Sequence, residues 1–372
     1  MSKVAIVHDA LPFVGGAEKV LEVLLEMFPR APVYTLLYNR SRFRGTVFEH
    51  HDIRTSFIDR LPGVYRDHYR FVPLFPFAVE QFDLREYEVI VSSHYAVAHG
   101  VLTTPDQLHI SYTHTPLRYA WQNYHSFVAS LPWYQAWPAR WVLHYLRLWD
   151  AAAAARVDHF VANSQWVAGC IRRAYRRRAE VVYPPVDVHR FEPLFPRQEY
   201  YITVSRLVER KKIALVVEAF SQLGYPLLVV GAGPEHDRLA ERAAPNVQLL
   251  GWQPQERLAA LLGRAKAFVH VAQDDFGISA VEAQAAGCPV LAFAGGGTPE
   301  TILPGKTGLL FPQQSVAGIV AAVQAFEAQA AGFDAEEICR HAQRFSRERF
   351  RRALGEVIDA CRAQSVNQRP RR

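Results

Sequence analysis

Two carboxylates eight residues apart frame the run Asp274-Asp275-Phe276-Gly277-Ile278-Ser279-Ala280-Val281-Glu282. The run follows an apolar stretch, Ala267–Val271, that reads as a buried strand, and it opens into a helical pattern over Ala280–Ala286. A helix start leaves backbone N–H groups without intrahelical partners, here those of Gly277, Ile278 and Ser279. The helix dipole favours negative charge at the same place, so the position suits a phosphate. A carboxylate on the loop and another in the first turns can accept hydrogen bonds from hydroxyls beside that phosphate. A nucleotide sugar carries both kinds of group. An Asp N-cap on an ordinary amphipathic helix accounts for the same residues without any ligand.

Four further constellations sit at the ends of strand-like runs. Ser205-Arg206-Leu207-Val208-Glu209-Arg210-Lys211-Lys212 follows Tyr201–Val204. Arg206 and Lys211 at such an edge can hold a diphosphate, one as a planar fork and the other as a point charge, although a solvated charge cluster has the same composition. His114, in Thr113-His114-Thr115-Pro116-Leu117-Arg118-Tyr119-Ala120-Trp121, follows Leu108–Ile110 and is placed either to meet a substrate hydroxyl or to serve structure. Gly15-Gly16-Ala17-Glu18 allows close backbone approach and positive φ. Gly295-Gly296-Gly297-Thr298 follows Val290–Ala292 and is placed to line the same crevice as Asp274. Other patterns fail. Pro234 and His236 break a dinucleotide fingerprint at Gly231-Ala232-Gly233, and Glu300 stands where a phosphate loop ending in Gly305-Lys306-Thr307 needs glycine. No His-Glu-x-x-His occurs and the pair Asp274-Asp275 has no companion His or Cys in view, so no metal is expected.

The elements that must position these residues repeat as strand, loop, helix. One series contains Val4–Val7, Val89–Val91, Phe160–Ala162 and Val181–Tyr183; the other runs from Tyr201–Val204 to Leu309–Phe311. Alternation of this kind implies parallel sheets covered on both faces, and two series imply two Rossmann-like domains. Tyr183-Pro184-Pro185, with Pro193 and Pro196, marks a linker near 184–198, giving domains at 1–186 and 198–345. A last helix is expected over about 346–366. Two aromatic segments stand apart. Residues 64–77 mix Tyr65, Tyr69, Phe71, Phe75 and Phe77 with Arg66, His68 and Arg70; residues 133–149 carry Trp133, Trp137, Trp141 and Tyr145 at spacings of four. Pro138 predicts a helix that starts near itself rather than at Trp133. Core packing and an interfacial surface facing lipid both fit such aromatic and basic mixtures.

Bulk properties narrow the class. A chain of 372 residues exceeds one core, 50% hydrophobic and 21% charged residues are ordinary for a globular protein, and no run is long enough to cross a membrane as a helix. Cys170, Cys288, Cys339 and Cys361 lie far apart, which predicts reduced thiols and a cytoplasmic setting. The net charge of +6 permits an anionic partner, and nothing points to nucleic acid.

Taken together, His8-Asp9, Gly15-Gly16-Ala17-Glu18-Lys19-Val20, Thr113–Trp121, Pro184-Pro185-Val186-Asp187, Ser205–Lys211 and Asp274–Gly287 resemble, in order, the motifs of the family 4 glycosyltransferases. The His-Thr-Pro-Leu-Arg-Tyr-Ala-Trp form is most similar to a bacterial mannosyltransferase-like branch of O-antigen and exopolysaccharide assembly. That resemblance implies the GT-B architecture: two facing Rossmann-like domains, the first on the acceptor side and the second binding the nucleotide sugar, with the C-terminal helix crossing back to the first. It implies a retaining, metal-independent hexosyltransferase without cofactor, moving mannose from GDP-mannose to a lipid-linked or oligosaccharide acceptor in surface polysaccharide synthesis. An epimerase of nucleotide sugars on the same fold, or a catalytically silent scaffold or sugar-binding subunit, are the alternatives. By the same resemblance Arg206 and Lys211 neutralise the leaving diphosphate, and Glu282 binds ribose hydroxyls. Asp274 and His114 contact the donor sugar, Gly15 and Gly16 approach phosphate or acceptor, and Gly277, Ile278 and Ser279 lie on the donor. The family usually has Glu where this chain has Asp274, one methylene shorter. Segments 64–77 and 133–149 would then place the protein peripherally on the inner face of the cytoplasmic membrane.

Overall fold

The computed structural model describes residues 3–13 and 15–368, with side chains through 365. The chain divides into two compact units, Met1–Tyr183 with Phe350–Arg372, and Pro184–Arg349.

In the first unit seven parallel strands form one sheet: β1 (Val4–His8), β2 (Val33–Thr35), β3 (Ile53–Thr55), β4 (Val89–His94), β5 (Leu108–Thr113), β6 (His159–Ala162) and β7 (Ala179–Val181). Their order is β3-β2-β1-β4-β5-β6-β7. The chain thus winds outward one way from β1 and the other way from β4, leaving a topological switch point between those two strands. Strands β4 and β5 are buried along their whole length, as expected of strands covered on both faces. The helix Gly16–Met27 covers one face through Val20, Leu21 and Leu24. Phe350, Leu354, Val357, Ile358 and Cys361 of the C-terminal helix Arg347–Gln368 join the same core, and Arg351 adds an ion pair to Glu26 at 3.3 Å.

The second unit holds six parallel strands: β8 (Tyr201–Val204), β9 (Leu227–Val230), β10 (Val247–Gly251), β11 (Ala267–His270), β12 (Val290–Phe293) and β13 (Gly308–Phe311). The order β10-β9-β8-β11-β12-β13 again reverses, here between β8 and β11. Helices Ile213–Leu223 and Val316–Glu327 close one face around Phe220, Val323 and Phe326.

The aromatic segment 133–149 departs from expectation in where its helix starts. Its helix runs Trp133–Ala153, with Pro132 as N-cap and Pro138 inside, rather than starting near Pro138. Proline costs such a helix one N–H bond, and here that loss falls within the first two turns. The stripe does not pack in the core. Ala136, Leu143, Leu146, Asp150 and Ala153 make the buried face, while Trp133 is 83% exposed, Trp137 63% and Trp141 64%. In the segment 64–77, Phe75 is buried but Tyr65, Tyr69, Leu74 and Phe77 are exposed.

Candidate functional site

The second unit gathers its charged candidates at the switch point. Lys211 lies just past β8 and Asp274 just past β11, which are neighbouring strands. Ligand crevices of α/β sheets open at the carboxyl ends of such strands. The Lys211 ammonium donates to both Asp274 oxygens, at 2.7 Å to Oδ1 and 2.6 Å to Oδ2. Arg210 Nη1 stands 3.7 Å from Asp274 Oδ1, and His270 Nε2 stands 3.4 Å from Oδ2. His270, four residues before Asp274 at the end of β11, is thus the companion histidine that the sequence reading did not find. Burial alone would raise the Asp274 carboxyl. The Lys211 charge, with the nearby His270 ring adding to it, outweighs burial and holds the group well below the usual carboxylate range. Arg206, on the exposed loop after β8, adds its positive field to that of Arg210 at the Lys211 ammonium. Lys211 and Arg210 thus face one largely buried carboxylate, with Arg206 near enough to act on the Lys211 ammonium.

The rest of this edge is shaped by backbone. Gly277 caps the helix Ile278–Ala285 with φ +91°, a left-handed conformation, and a Cβ there would come within 2.6 Å of Thr298 Oγ1. The N–H groups of Gly277, Ile278 and Ser279 carry no hydrogen bond to protein among the described residues. Gly297 N–H donates to the Asp274 carbonyl at 2.8 Å, so the loop after β12 braces the Asp274 backbone. Thr298 Oγ1 is buried without a hydrogen-bond partner. Glu282, in the second turn of the helix, is only 8% exposed. The structure thus brings Arg206, Lys211, Asp274, Gly277, Ile278, Ser279 and Glu282 to one sheet edge.

His114, Gly15 and Gly16 belong to the first unit. His114 follows β5, with its backbone N–H held by the His94 carbonyl at 2.7 Å and its Nε2 2.9 Å from Ser93 Oγ. Burial, with His8 adding to it, pushes the imidazole down to about 3, so the ring is neutral at physiological pH. Gly15 and Gly16 do not use positive φ. Gly15 is an extended N-cap at φ −142°, and its N–H donates to Glu18 Oε2 at 2.8 Å, where the chain turns into the helix. Asp9, buried just past β1, accepts the N–H groups of Tyr95, Ala96, Val97 and Ala98, which fixes the loop after β4. The polar residues that close β1 and β4 were a visible signal for this edge: apolar strands ending in His8-Asp9 and in Ser92-Ser93-His94.

One cluster has the composition of a metal site. His94, His99 and Asp150 are fully buried with their ligand-type atoms close together. Their groups are bonded to one another and to the surroundings. His94 Nδ1 meets His99 Nδ1 at 3.2 Å, His99 Nε2 meets the Asp150 carbonyl at 3.2 Å, and Trp121 Nε1 donates to Asp150 Oδ2 at 2.7 Å. Burial pushes the Asp150 carboxyl up to about 7. Among the described residues no helix is long and apolar enough to cross a membrane.

Comparison with known proteins bears on both units. Residues 14–190 match the model of Glycosyltransferase Family 4, and residues 186–346 match that of Glycosyl transferases group 1. The D-rhamnosyltransferase WbpZ of Pseudomonas aeruginosa is 32% identical over 178 residues, which are 42% of this chain and 46% of that protein. The GDP-mannose-dependent alpha-(1-6)-phosphatidylinositol monomannoside mannosyltransferase of Mycolicibacterium smegmatis is 32% identical over 170 residues, 38% of this chain and 44% of that protein. The chain spans about half the length of the curated relatives it matches. Among solved structures, the sucrose-phosphate synthase of Thermosynechococcus elongatus superposes with a TM-score of 0.75 at 19% identity, covering 97% of this chain and 100% of that one. With two parallel-sheet Rossmann-like units, and with the two family models following one another along nearly the whole sequence, the chain belongs to the family 4 glycosyltransferases of GT-B fold.

Proposed function

We infer that the protein is a retaining, metal-independent hexosyltransferase that moves mannose from GDP-mannose to a lipid-linked or oligosaccharide acceptor. The observation that carries this reading is the convergence of Arg206, Arg210 and Lys211 beside the open N–H edge of Gly277, Ile278 and Ser279. In the reaction the bond from the sugar's anomeric carbon to the diphosphate breaks, the acceptor hydroxyl oxygen bonds to that carbon on the face the diphosphate leaves, and its proton passes to the departing diphosphate oxygen. Negative charge grows on the departing diphosphate. Cations and N–H groups already fixed in place stabilise it without reorganising, and in many active sites such stabilisation contributes more to the rate than any other effect. Asp274 holds Lys211 in position, and Glu282 takes the ribose hydroxyls. His114, as a neutral ring, meets a hydroxyl of the donor sugar. Mannose as the sugar and GDP as its carrier rest on the resemblance to the mannosyltransferase named above and on the His114–Trp121 motif.

The exposed aromatic stripe supports an acceptor presented at a lipid surface. Between Asp106 and Asp150 the sequence has no acidic residue, and Arg140 and His144 are exposed beside Trp137 and Trp141. Aromatic rings next to cations suit the headgroup region of an anionic bilayer, here the inner face of the cytoplasmic membrane. Calorimetric titration with GDP, UDP and ADP tests the donor assignment. GDP is expected to bind most tightly, with Arg206→Ala weakening it at least tenfold; absence of binding by all three nucleotides would remove the reading.

A further inference from the structure

A chain of polar side chains crosses the carboxyl ends of three neighbouring strands in the first unit. It starts at Glu18 in the first turn of the helix Gly16–Met27, whose Oε2 accepts the Gly15 N–H at 2.8 Å. The other oxygen, Oε1, stands 3.5 Å from His8 Nε2, too loosely placed for a hydrogen bond; that buried nitrogen has no hydrogen-bond partner, and the carboxylate is the charged group it faces. His8 Nδ1 is 3.0 Å from Ser93 Oγ on β4, and Ser93 Oγ is 2.9 Å from His114 Nε2 past β5. Glu18 is 4% exposed, His8 1% and Ser93 0%, so water cannot rearrange the chain between its ends. His114 Nδ1 takes no partner among the described residues.

We propose that Glu18, acting through His8 and Ser93, sets the tautomer of His114 and presents its Nδ1 as a hydrogen-bond acceptor. Counting protons along the chain gives the assignment. The Glu18 carboxylate that faces Nε2 at 3.5 Å attracts an N–H and repels a lone pair, so with one proton on each imidazole His8 carries its proton on Nε2. His8 Nδ1 is then a lone pair, and Ser93 must spend its single O–H on it. The Ser93 oxygen is left as an acceptor for His114, whose proton therefore sits on Nε2. His114 Nδ1 carries the remaining lone pair. Glu18, His8 and Ser93 are positioning residues, and a donor-sugar hydroxyl that meets His114 meets an acceptor rather than an N–H. The link to catalysis rests on the reading above that His114 contacts the donor sugar; the tautomer itself does not.

Glu18→Gln reverses the chain at its source. The glutamine oxygen keeps the Gly15 N–H, and its NH₂ then faces His8 Nε2. His8 must accept there and donate from Nδ1, Ser93 must donate to His114, and His114 becomes protonated on Nδ1. The test is long-range ¹H–¹⁵N correlation on full-length protein labelled with ¹⁵N-histidine, with the rings assigned from His8→Gln and His114→Gln spectra. The native protein is expected to show both rings protonated on Nε2, and Glu18→Gln to show both on Nδ1. Ser93→Ala, which deletes the link between the two rings, should leave His114 as a mixture of tautomers in either background. A native His114 protonated on Nδ1, or one whose tautomer ignores both Glu18→Gln and Ser93→Ala, overturns the proposal. Turnover separates it from the site reading. Glu18→Gln should lower kcat/KM about 10- to 100-fold, the effect of facing a substrate donor with another donor. If the tautomers behave as stated while His114→Ala keeps full turnover, the wire stands and the sugar contact falls.

Discussion

Replacing Asp274 with alanine removes both acceptors of the Lys211 ammonium and leaves a cation embedded beside Arg210 and Arg206. An exposed ion pair contributes about 0–1 kcal/mol, whereas breaking a fully buried one costs about 3–5 kcal/mol because the survivor is stranded. The side chains of Lys211 and Asp274 are each only 15% exposed and the contact is bidentate, so the buried case is the nearer one. Asp274→Ala and Lys211→Ala should each cost about 2–4 kcal/mol, discounted for that residual exposure. The double variant strands neither charge and should cost about as much as one single. The coupling energy is then about 2 kcal/mol or more. Urea unfolding of the four proteins, fitted as two transitions because the chain has two units, measures it. Single effects that sum to the double would refute the claim that Asp274 holds Lys211. Proton linkage gives the sign of the pH dependence. A carboxyl depressed in the folded state stabilises above its ordinary value of about 3.9 and loses that contribution as pH falls through the folded value. The coupling should therefore be constant from neutral pH down to about pH 5 and disappear only in stronger acid.

Other residues give sharp expectations. Asp150, pushed up to about 7, should stabilise below the ordinary carboxylate pKa and lose that contribution as pH rises through its folded value. Relative to Asp150→Asn, the native protein should then lose about 1.4 kcal/mol per pH unit between pH 5 and 7; parallel stability curves would refute this. Gly277→Ala meets both the positive φ and the Thr298 hydroxyl, so it should cost about 1–3 kcal/mol and weaken nucleotide binding in the same titration. Changing Trp133, Trp137 and Trp141 together to Ser should abolish co-sedimentation with anionic vesicles at low salt. The exposed positions should change stability by about 0.5 kcal/mol or less each, and failure of the native protein to sediment would end the lipid reading.

Much of the fold could be read from apolar runs that stop at polar residues, as β1 stops at His8. Strands β2 (Val33–Thr35) and β3 (Ile53–Thr55) escaped because three residues carry no period; they are strands by virtue of pairing outward from β1. The helix Val316–Glu327 escaped because its sequence, VAGIVAAVQAFE, has little polar contrast from face to face. Spacing gave the aromatic stripe at 133–145 correctly, but not its exposure, since tryptophan serves cores and interfaces alike. At the site, the residue types that suit a diphosphate were visible around Arg206, Lys211 and Asp274. Their pairing was not, because Lys211 and Asp274 are 63 residues apart and meet only through the adjacency of β8 and β11. The carboxylate of Asp274 is seated on Lys211. The wire from Glu18 to His114 was beyond reach for the same reason, as three strands supply it.

The central claim is transfer of a sugar from a nucleotide carrier, and the most direct measurement is a turnover screen. Radiolabelled GDP-mannose and a panel of other nucleotide sugars are incubated with the full chain and a bacterial membrane lipid extract, without added metal and with EDTA. The expected result is label passing from GDP-mannose to the lipid fraction, abolished by Arg206→Ala and reduced by Glu282→Ala. No transfer from any donor, or transfer indifferent to Arg206, would contradict the account.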